Sequence, residues 1–307
     1  MKKSQKGVAL LTALFVVVLT TIVAVAMTTR QQLDIRRTAN VLNRDQAYLY
    51  ALGAENWARR ILVRDGKNGT VDYLYDIWAT QLPPMMIPGG SLQGQITDLQ
   101  GRFNVNNLVI NGEVDIEAMA YFTRLLKALE LPETLVQVAI DWIDRDQTPQ
   151  TPYGAEDNTY LLNTPAYRTA DLPFKNPSEL RLLTGIEWEN YQKLLPHITT
   201  LPTQTAINVN TATDFVLMAL AEGITLADVE ILQKAREDSP FESVQDFLVH
   251  EALAGIEVKT ENISVASDYF LVTASVEIEQ AQIQLTSVLY RQADQVKVIL
   301  RSQNVNF

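Results

Sequence analysis

The chain has 307 residues, 47% of them hydrophobic, which is ample for a buried core and long for a single simple domain. Its formal net charge of -11 argues against a nucleic-acid or anionic-membrane partner, since binding phosphates needs clustered Lys and Arg, and suits metal cations better. With no cysteine, disulfides, thiolate metal sites and a Cys nucleophile are excluded.

The N-terminus sets the location. Lys2, Lys3 and Lys6 precede Gly7, and Val8 to Met27 is an uncharged stretch of 20 residues. As a helix it spans about 30 Å, the thickness of a bilayer core. The lysines are expected to hold the N-terminus in the cytoplasm and place the remaining chain across the inner membrane. Ala24-Val25-Ala26 offers a signal-peptidase reading, in which the apolar stretch is removed. Against it, the chain does not break at Met27. It runs to Asp65 without Pro and with Gly53 as its one Gly, and Leu42, Leu49, Leu52, Trp57, Ile61 and Leu62 recur at near-helical spacing. One continuous helix over 8–65 is expected, transmembrane over 8–27 and amphipathic beyond.

A Pro/Gly-rich linker, Leu82-Pro83-Pro84 to Gly89-Gly90, separates that helix from a strand at Ser91 to Asp98. From Glu113 to about Ala254 the apolar spacing is helical, as in Met119-Phe122-Leu125-Leu126-Leu129 and Leu135-Val138-Ala139-Trp142-Ile143. Asn176-Pro177-Ser178-Glu179 reads as an N-cap, a first-turn proline and a reciprocal Glu, which opens another helix. After Gly255 the β-branched runs at Ile263–Val265, Tyr269–Thr273, Ile283–Tyr290 and Val296–Leu300 read as antiparallel strands. The economical α+β architecture is a long N-terminal helix on a small antiparallel sheet (91–112 and 256–307) with a helical domain inserted over 113–255.

Lys6-Gly7 followed by Val8-Ala9-Leu10-Leu11-Thr12 resembles the leader of the type IV pilin-like superfamily. The resemblance implies a seven-residue leader, removed by a prepilin peptidase after Gly7, and methylation of Val8. Most members carry Glu where this chain has Thr12, and that Glu is thought to neutralise the N-terminal amine of a neighbouring subunit in the bilayer. An unpaired charge there is costly, so Thr12 suits a subunit with no predecessor, placed first at a tip. Further phrases resemble the K-type minor pseudopilins of type II secretion over nearly the whole chain. They are Asp98-Leu-Gln-Gly-Arg-Phe-Asn-Val-Asn106, Asp141-Trp-Ile-Asp-Arg-Asp146, Gly154-Ala-Glu-Asp157, Pro165-Ala-Tyr-Arg168, Pro177-Ser-Glu-Leu180, Ile207-Asn-Val-Asn-Thr-Ala212 and Ser267-Asp-Tyr-Phe270. That family implies a pilin fold with an inserted α-helical domain, a missing Glu at the fifth mature position, a tip role, other minor pseudopilins as partners and contact with exported proteins. A minor pilin of a type IV pilus or competence system is the alternative.

Three site readings follow. Residues 203–255 resemble a helix-hairpin-helix unit of competence DNA receptors, but hold two basic side chains, Lys234 and Arg236, against nine acidic ones. A phosphate-binding hairpin would be basic, so the unit reads as a protein-contact scaffold in which Asn210 or Thr211 caps a helix. Asp144, Asp146, Glu156 and Asp157, with Asp141 less certain because it can face solvent, place hard oxygen ligands on loops, and together with the family resemblance they form a candidate calcium site. Catalysis finds little support. His197 and His250 are the chain's histidines, His197 reads as a packed or turn position, and no nucleophile, zinc or phosphate-loop motif is present. An exported hydrolase using the paired carboxylates Asp144 and Glu156 is the distant enzymatic alternative.

Overall fold

The computed structural model describes residues 6–81, 83–292 and 295–303. A single helix, α1, runs from Lys6 to Asn68 and is about 95 Å long at 1.5 Å per residue. Its first part, from Val8 to Met27, is exposed along its whole length and carries an apolar window long enough to cross a membrane.

The second part of α1 lies on a five-stranded sheet. The strands are β1 (Met85–Ile87), β2 (Gly90–Asp98), β3 (Tyr269–Ile278), β4 (Ala281–Gln292) and β5 (Gln295–Gln303), in that spatial order. Every neighbouring pair is antiparallel. β1 lies in the segment read as linker. Its three residues turn back at Pro88-Gly89, where Gly89 takes a φ of +86° that other residues resist. Gly90 then passes so close to the Glu277 carbonyl that a Cβ would collide with it.

The helix face on the sheet is not the one the leucine spacing suggests. Ala47, Ala51, Ala54, Ala58 and Leu62 are buried against β3 and β4, beside Ala274, Val276, Ile283 and Leu289. Leu42, Leu49 and Trp57 are instead 61%, 67% and 44% exposed. Small side chains let the helix axis approach a flat β surface closely, so alanines and Leu62 form most of the contact, Leu52 and Ile61 pack beside it, and Leu42, Leu49 and Trp57 face outward. Glu55, on the buried face, accepts bonds from Ser287 Oγ at 2.5 Å and from Arg301.

Residues 99–268 leave the sheet after β2 and return at β3. They have a separate core that includes Phe103, Tyr121, Phe122, Leu125, Trp142, Leu180 and Leu217. α2 (Ile116–Ala128) is capped by Asp115 and α3 (Leu135–Ile143) packs beside it. Beyond α3 the block is less helical than its spacing suggests. It continues with one turn, α4 (Asp157–Tyr160), and further short helices. The Asn176 capping box forms as expected, but it opens a six-residue 3-10 segment, Pro177–Leu182. Ile263–Ser264 is no part of the main sheet; it pairs in parallel with Ile207–Asn208 inside the block.

Candidate functional site

Several of the family-like segments supply buried polar joints, one between block and sheet and others within the block. Asp98, at the end of β2, is buried, and its Oδ2 accepts from Thr211 Oγ1 at 2.5 Å, Ser267 Oγ at 2.6 Å and Asn208 Nδ2 at 3.1 Å. Burial pushes its carboxyl up to about 6 against those bonds. Asn104 and Asn106 bind backbone groups of Leu201, Thr203 and Phe174. Asn210 does not cap a helix as its position suggests. Its amide donates to Phe241 O and accepts from Phe241 N, at 3.0 and 2.9 Å, while Thr211 is committed to Asp98. Arg236 points inward, where Nη1 donates to Val209 O and Ala212 O. That leaves it poorly placed to meet a phosphate. His197 packs edge-on to Phe215 and pairs with Thr213 Oγ1 at 2.7 Å.

The acidic centre is built at the end of α3. Asp144 is the residue that ends the helix, and its N–H bonds Ile140 O at 2.9 Å. An oxygen from each of Asp144, Asp146 and Glu156 lies within 4.8 Å of the others. Asp144 and Glu156 are 5% and 1% exposed, and Asp146 is exposed. Asp144 Oδ1 and both Glu156 carboxylate oxygens are buried with no hydrogen-bond partner. On the same segments Trp142 packs against the rings of Tyr160, Tyr167 and Phe174. Burial, and then the charges of Asp141, Asp144 and Asp171, push Glu156 up to about 8. Asp144 is pushed up to about 6 by burial and by Asp146, Asp141 and Asp171. Orphaned buried carboxylate oxygens of one sign, gathered on a loop, fit a hard divalent cation.

Two of the sequence-selected carboxylates behave differently from the reading above. Asp157 stands outside this group: its Oδ1 accepts from Thr169 N and Oγ1, and it pairs with Arg168 at 3.5 Å. Asp141, which the sequence allowed to face solvent, is fully buried and accepts a forked bond from Gln150 N at 3.1 and 3.2 Å. Gly154 makes that crossing possible, since a Cβ on it would sit 2.2 Å from Asp141 Oδ2. Sequence spacing missed Asp171, which is held near the centre by Thr169 Oγ1 at 2.7 Å and by Gln147. A positive φ of 49° at Asp171 turns the chain there, and nothing in the local sequence signals it.

Gly7 and Val8 lie in the first turns of α1, and Val8 is exposed; residues 1–5 of the leader are outside the described residues.

Comparison with known proteins agrees with this architecture. Two family models for type II secretion system (T2SS), protein K, match the chain, one over residues 101–203 and the other over residues 207–266. A type II secretion system protein K of Pseudomonas aeruginosa is 41% identical, with 98% of this chain and 93% of that protein covered. The protein K of Klebsiella pneumoniae is 34% identical, with 99% and 98% covered. Among solved structures, the GspK-GspI-GspJ complex of the enterotoxigenic Escherichia coli type 2 secretion system contains a chain that superposes with a TM-score of 0.78 at 26% identity, covering 88% of this chain and 100% of that one. With matched family segments over both parts of the inserted block and relatives aligned over nearly its full length, the chain belongs to the protein K family of type II secretion, the K-type minor pseudopilins.

Proposed function

We propose that this chain sits at the tip of the type II secretion pseudopilus, where it initiates assembly with other minor pseudopilins and supports protein export across the outer membrane. The observation that carries this reading is α1: one unbroken helix whose alanine face is buried in its own sheet while Leu42, Leu49 and Trp57 stay exposed beyond the membrane segment. Such a half-used helix supplies an apolar face for neighbouring subunits. Lipid gives little drive for helix association within the bilayer, so packing above it selects the partners. The solved relative is a complex with GspI and GspJ, which makes their counterparts the proposed partners here.

The remaining parts fit the same reading. Thr12 is neutral and its hydroxyl is already bonded to Ala9 O at 3.0 Å, so it offers no carboxylate to a preceding subunit's amine. Lys2, Lys3 and Lys6 hold the N-terminus in the cytoplasm, and the body lies in the periplasm. A prepilin peptidase cuts after Gly7 and leaves a methylated Val8. Asp144, Asp146 and Glu156 hold calcium, with Asp141 and Asp171 shaping the field around it. When bound, the ion neutralises these carboxylates and ties the end of α3 to the segment before α4.

The test is co-purification of the full-length chain with its I- and J-type partners, together with secretion in a strain lacking the chromosomal copy. Leu42→Lys with Leu49→Lys should leave the fold intact while partner recovery and export fall at least several-fold. Unchanged recovery would remove α1's outer face from the proposal.

A further inference from the structure

A second group of carboxylates lies far along the chain from the Asp144 centre, where α1 ends against the sheet. One oxygen from each of Asp65, Asp72 and Asp76 lies within 4.8 Å of the others. Two ligands of one calcium ion, each 2.3–2.6 Å from it, stand no more than about 5 Å apart, so a single ion can span this spread. Asp65 comes from the last turns of α1, and Asp72 and Asp76 from the segment that follows it. Asp76 is held in place by Tyr73 N at 3.1 Å and Trp78 Nε1 at 3.2 Å, both on its Oδ2.

Arg291 of β4 already faces this group. Its Nη1 donates to Asp65 Oδ2 at 2.9 Å, and its Nη2 to Asp72 Oδ2 at 2.5 Å and Ser267 O at 2.7 Å. One guanidinium does not balance three carboxylates, and Asp268 adds a fourth negative charge near enough to Asp72 and Arg291 to be perturbed by both. The deficit shows at a particular atom. Asp72 is 1% exposed; its Oδ2 is taken up by Arg291 and by Ser267 N at 2.8 Å, while Oδ1 is buried with no hydrogen-bond partner. A buried carboxylate oxygen without a donor, on a residue grouped with two other carboxylates, is a strong demand for a cation. Burial, then Asp76 and Asp72, push the Asp65 carboxyl up to about 6 despite Arg291, in line with an excess of negative charge.

We propose that Asp65, Asp72 and Asp76 form a second divalent-cation site, of the hard, oxygen-liganded kind that calcium prefers, with Arg291 supplying further positive charge. The site joins the end of the assembly helix to the loop after it and, through Arg291, to β4. It shares no ligand with the Asp144 centre and does not depend on that centre binding metal.

The test counts calcium ions on the full-length chain in detergent, by isothermal titration and by native mass spectrometry. In Asp144→Asn with Glu156→Gln, which disables the other centre, one bound calcium should remain, and adding Asp76→Asn should remove it. Asp76→Asn keeps an oxygen for Tyr73 and Trp78, and Asp65→Asn, assayed in the same background, serves as a second variant. No calcium on the Asp144→Asn, Glu156→Gln protein, or an ion that survives both the Asp76→Asn and the Asp65→Asn additions in folded protein, overturns the site. Terbium luminescence sensitised by Trp78 gives an independent reading, expected to drop at least tenfold with Asp76→Asn in that background.

Discussion

Arg301 of β5 closes a two-pronged ion pair on Glu55 of α1, with Nε to Oε2 at 2.8 Å and Nη2 to Oε1 at 2.7 Å. Glu55 is buried and Arg301 half-exposed, so the pair joins the helix to the last strand at the border between core and solvent. Burial alone would raise the Glu55 carboxyl, but the bonds from Arg301 and Ser287 and the charges of Arg301 and Arg59 outweigh it and hold the group below its ordinary value.

Arg301→Ala strands that carboxylate with Ser287 as its remaining side-chain donor. Its loss should cost about 2 kcal/mol of stability at neutral pH, read as a lower denaturant midpoint with unchanged slope. Because the folded pKa is depressed, the pair's contribution is present above the unfolded value of 4.5 and disappears as pH falls through the lower folded value. The difference between wild type and variant should therefore narrow in acid.

The carboxylates of the Asp144 centre have the opposite sign. Glu156 is pushed up to about 8 from 4.5, so without metal the folded state binds the extra proton and stability falls as pH rises between those values. Glu156→Gln should flatten that slope and melt higher than the wild type in chelator at pH 8. Calcium at a hundred times its Kd should add about 2.7 kcal/mol to the wild type. Asp144→Asn and Glu156→Gln should lose the share of the gain due to this centre and keep any share from Asp65, Asp72 and Asp76, whereas Asp157→Asn, whose carboxylate is engaged with Thr169 and Arg168, should keep nearly all of it. Melting curves with and without chelator decide between these outcomes, and identical wild-type curves would remove the centre.

Ala51 and Leu49 are near neighbours on α1 with opposite surroundings, one fully buried and the other 67% exposed. Ala51→Leu forces side-chain bulk between helix and sheet and should destabilise by about 1–3 kcal/mol. Leu49→Ala should change stability by less than about 0.5 kcal/mol, yet weaken recovery of partner subunits. The reverse ranking would mean that the leucines, not the alanines, face the sheet.

Processing is read directly by mass spectrometry of the membrane-extracted protein. The mature chain should begin at methylated Val8, and Gly7→Leu should leave the leader attached. A mature terminus near Ala26 would point to signal-peptidase cleavage.

While the pilin likeness came from the resemblance, the long helix, the strands from Tyr269 onward and the α+β class were legible because they rest on local periodicity and composition. The orientation of α1 was not. Leucine spacing marks an apolar stripe, but the face laid on the sheet is lined mostly by alanines, which carry little hydrophobic signal. In the acidic centre, Asp144, Asp146 and Glu156 were legible from their residue types, but Asp157 was grouped with them by adjacency, though its carboxylate is engaged elsewhere. Asp171 reaches the centre through Thr169 and a left-handed turn, neither of which sequence spacing registers. Asn210 looked like a helix cap because Asn commonly caps helices; its real role depends on Phe241, which only the packed fold brings to it.

The two ends of the inserted block meet. Leu99 N bonds Tyr269 O at 3.0 Å, and Thr97 and Asp98 pair in register with Leu271 and Phe270, so residues 99–268 depart and return at one point of the sheet. Closing so large a loop carries an entropic cost that grows only slowly with its length, and the anchoring strands sense little of what lies between them. The block is thus mounted where β2 and β3 meet and is locked there by Asn208 and Thr211 on Asp98 and by Thr203 on Tyr269, so parts of it distant from these contacts can change while the sheet keeps its geometry. A folding path that forms the block first would bring β2 and β3 together as a ready-made pair, making the inserted block a template for the sheet.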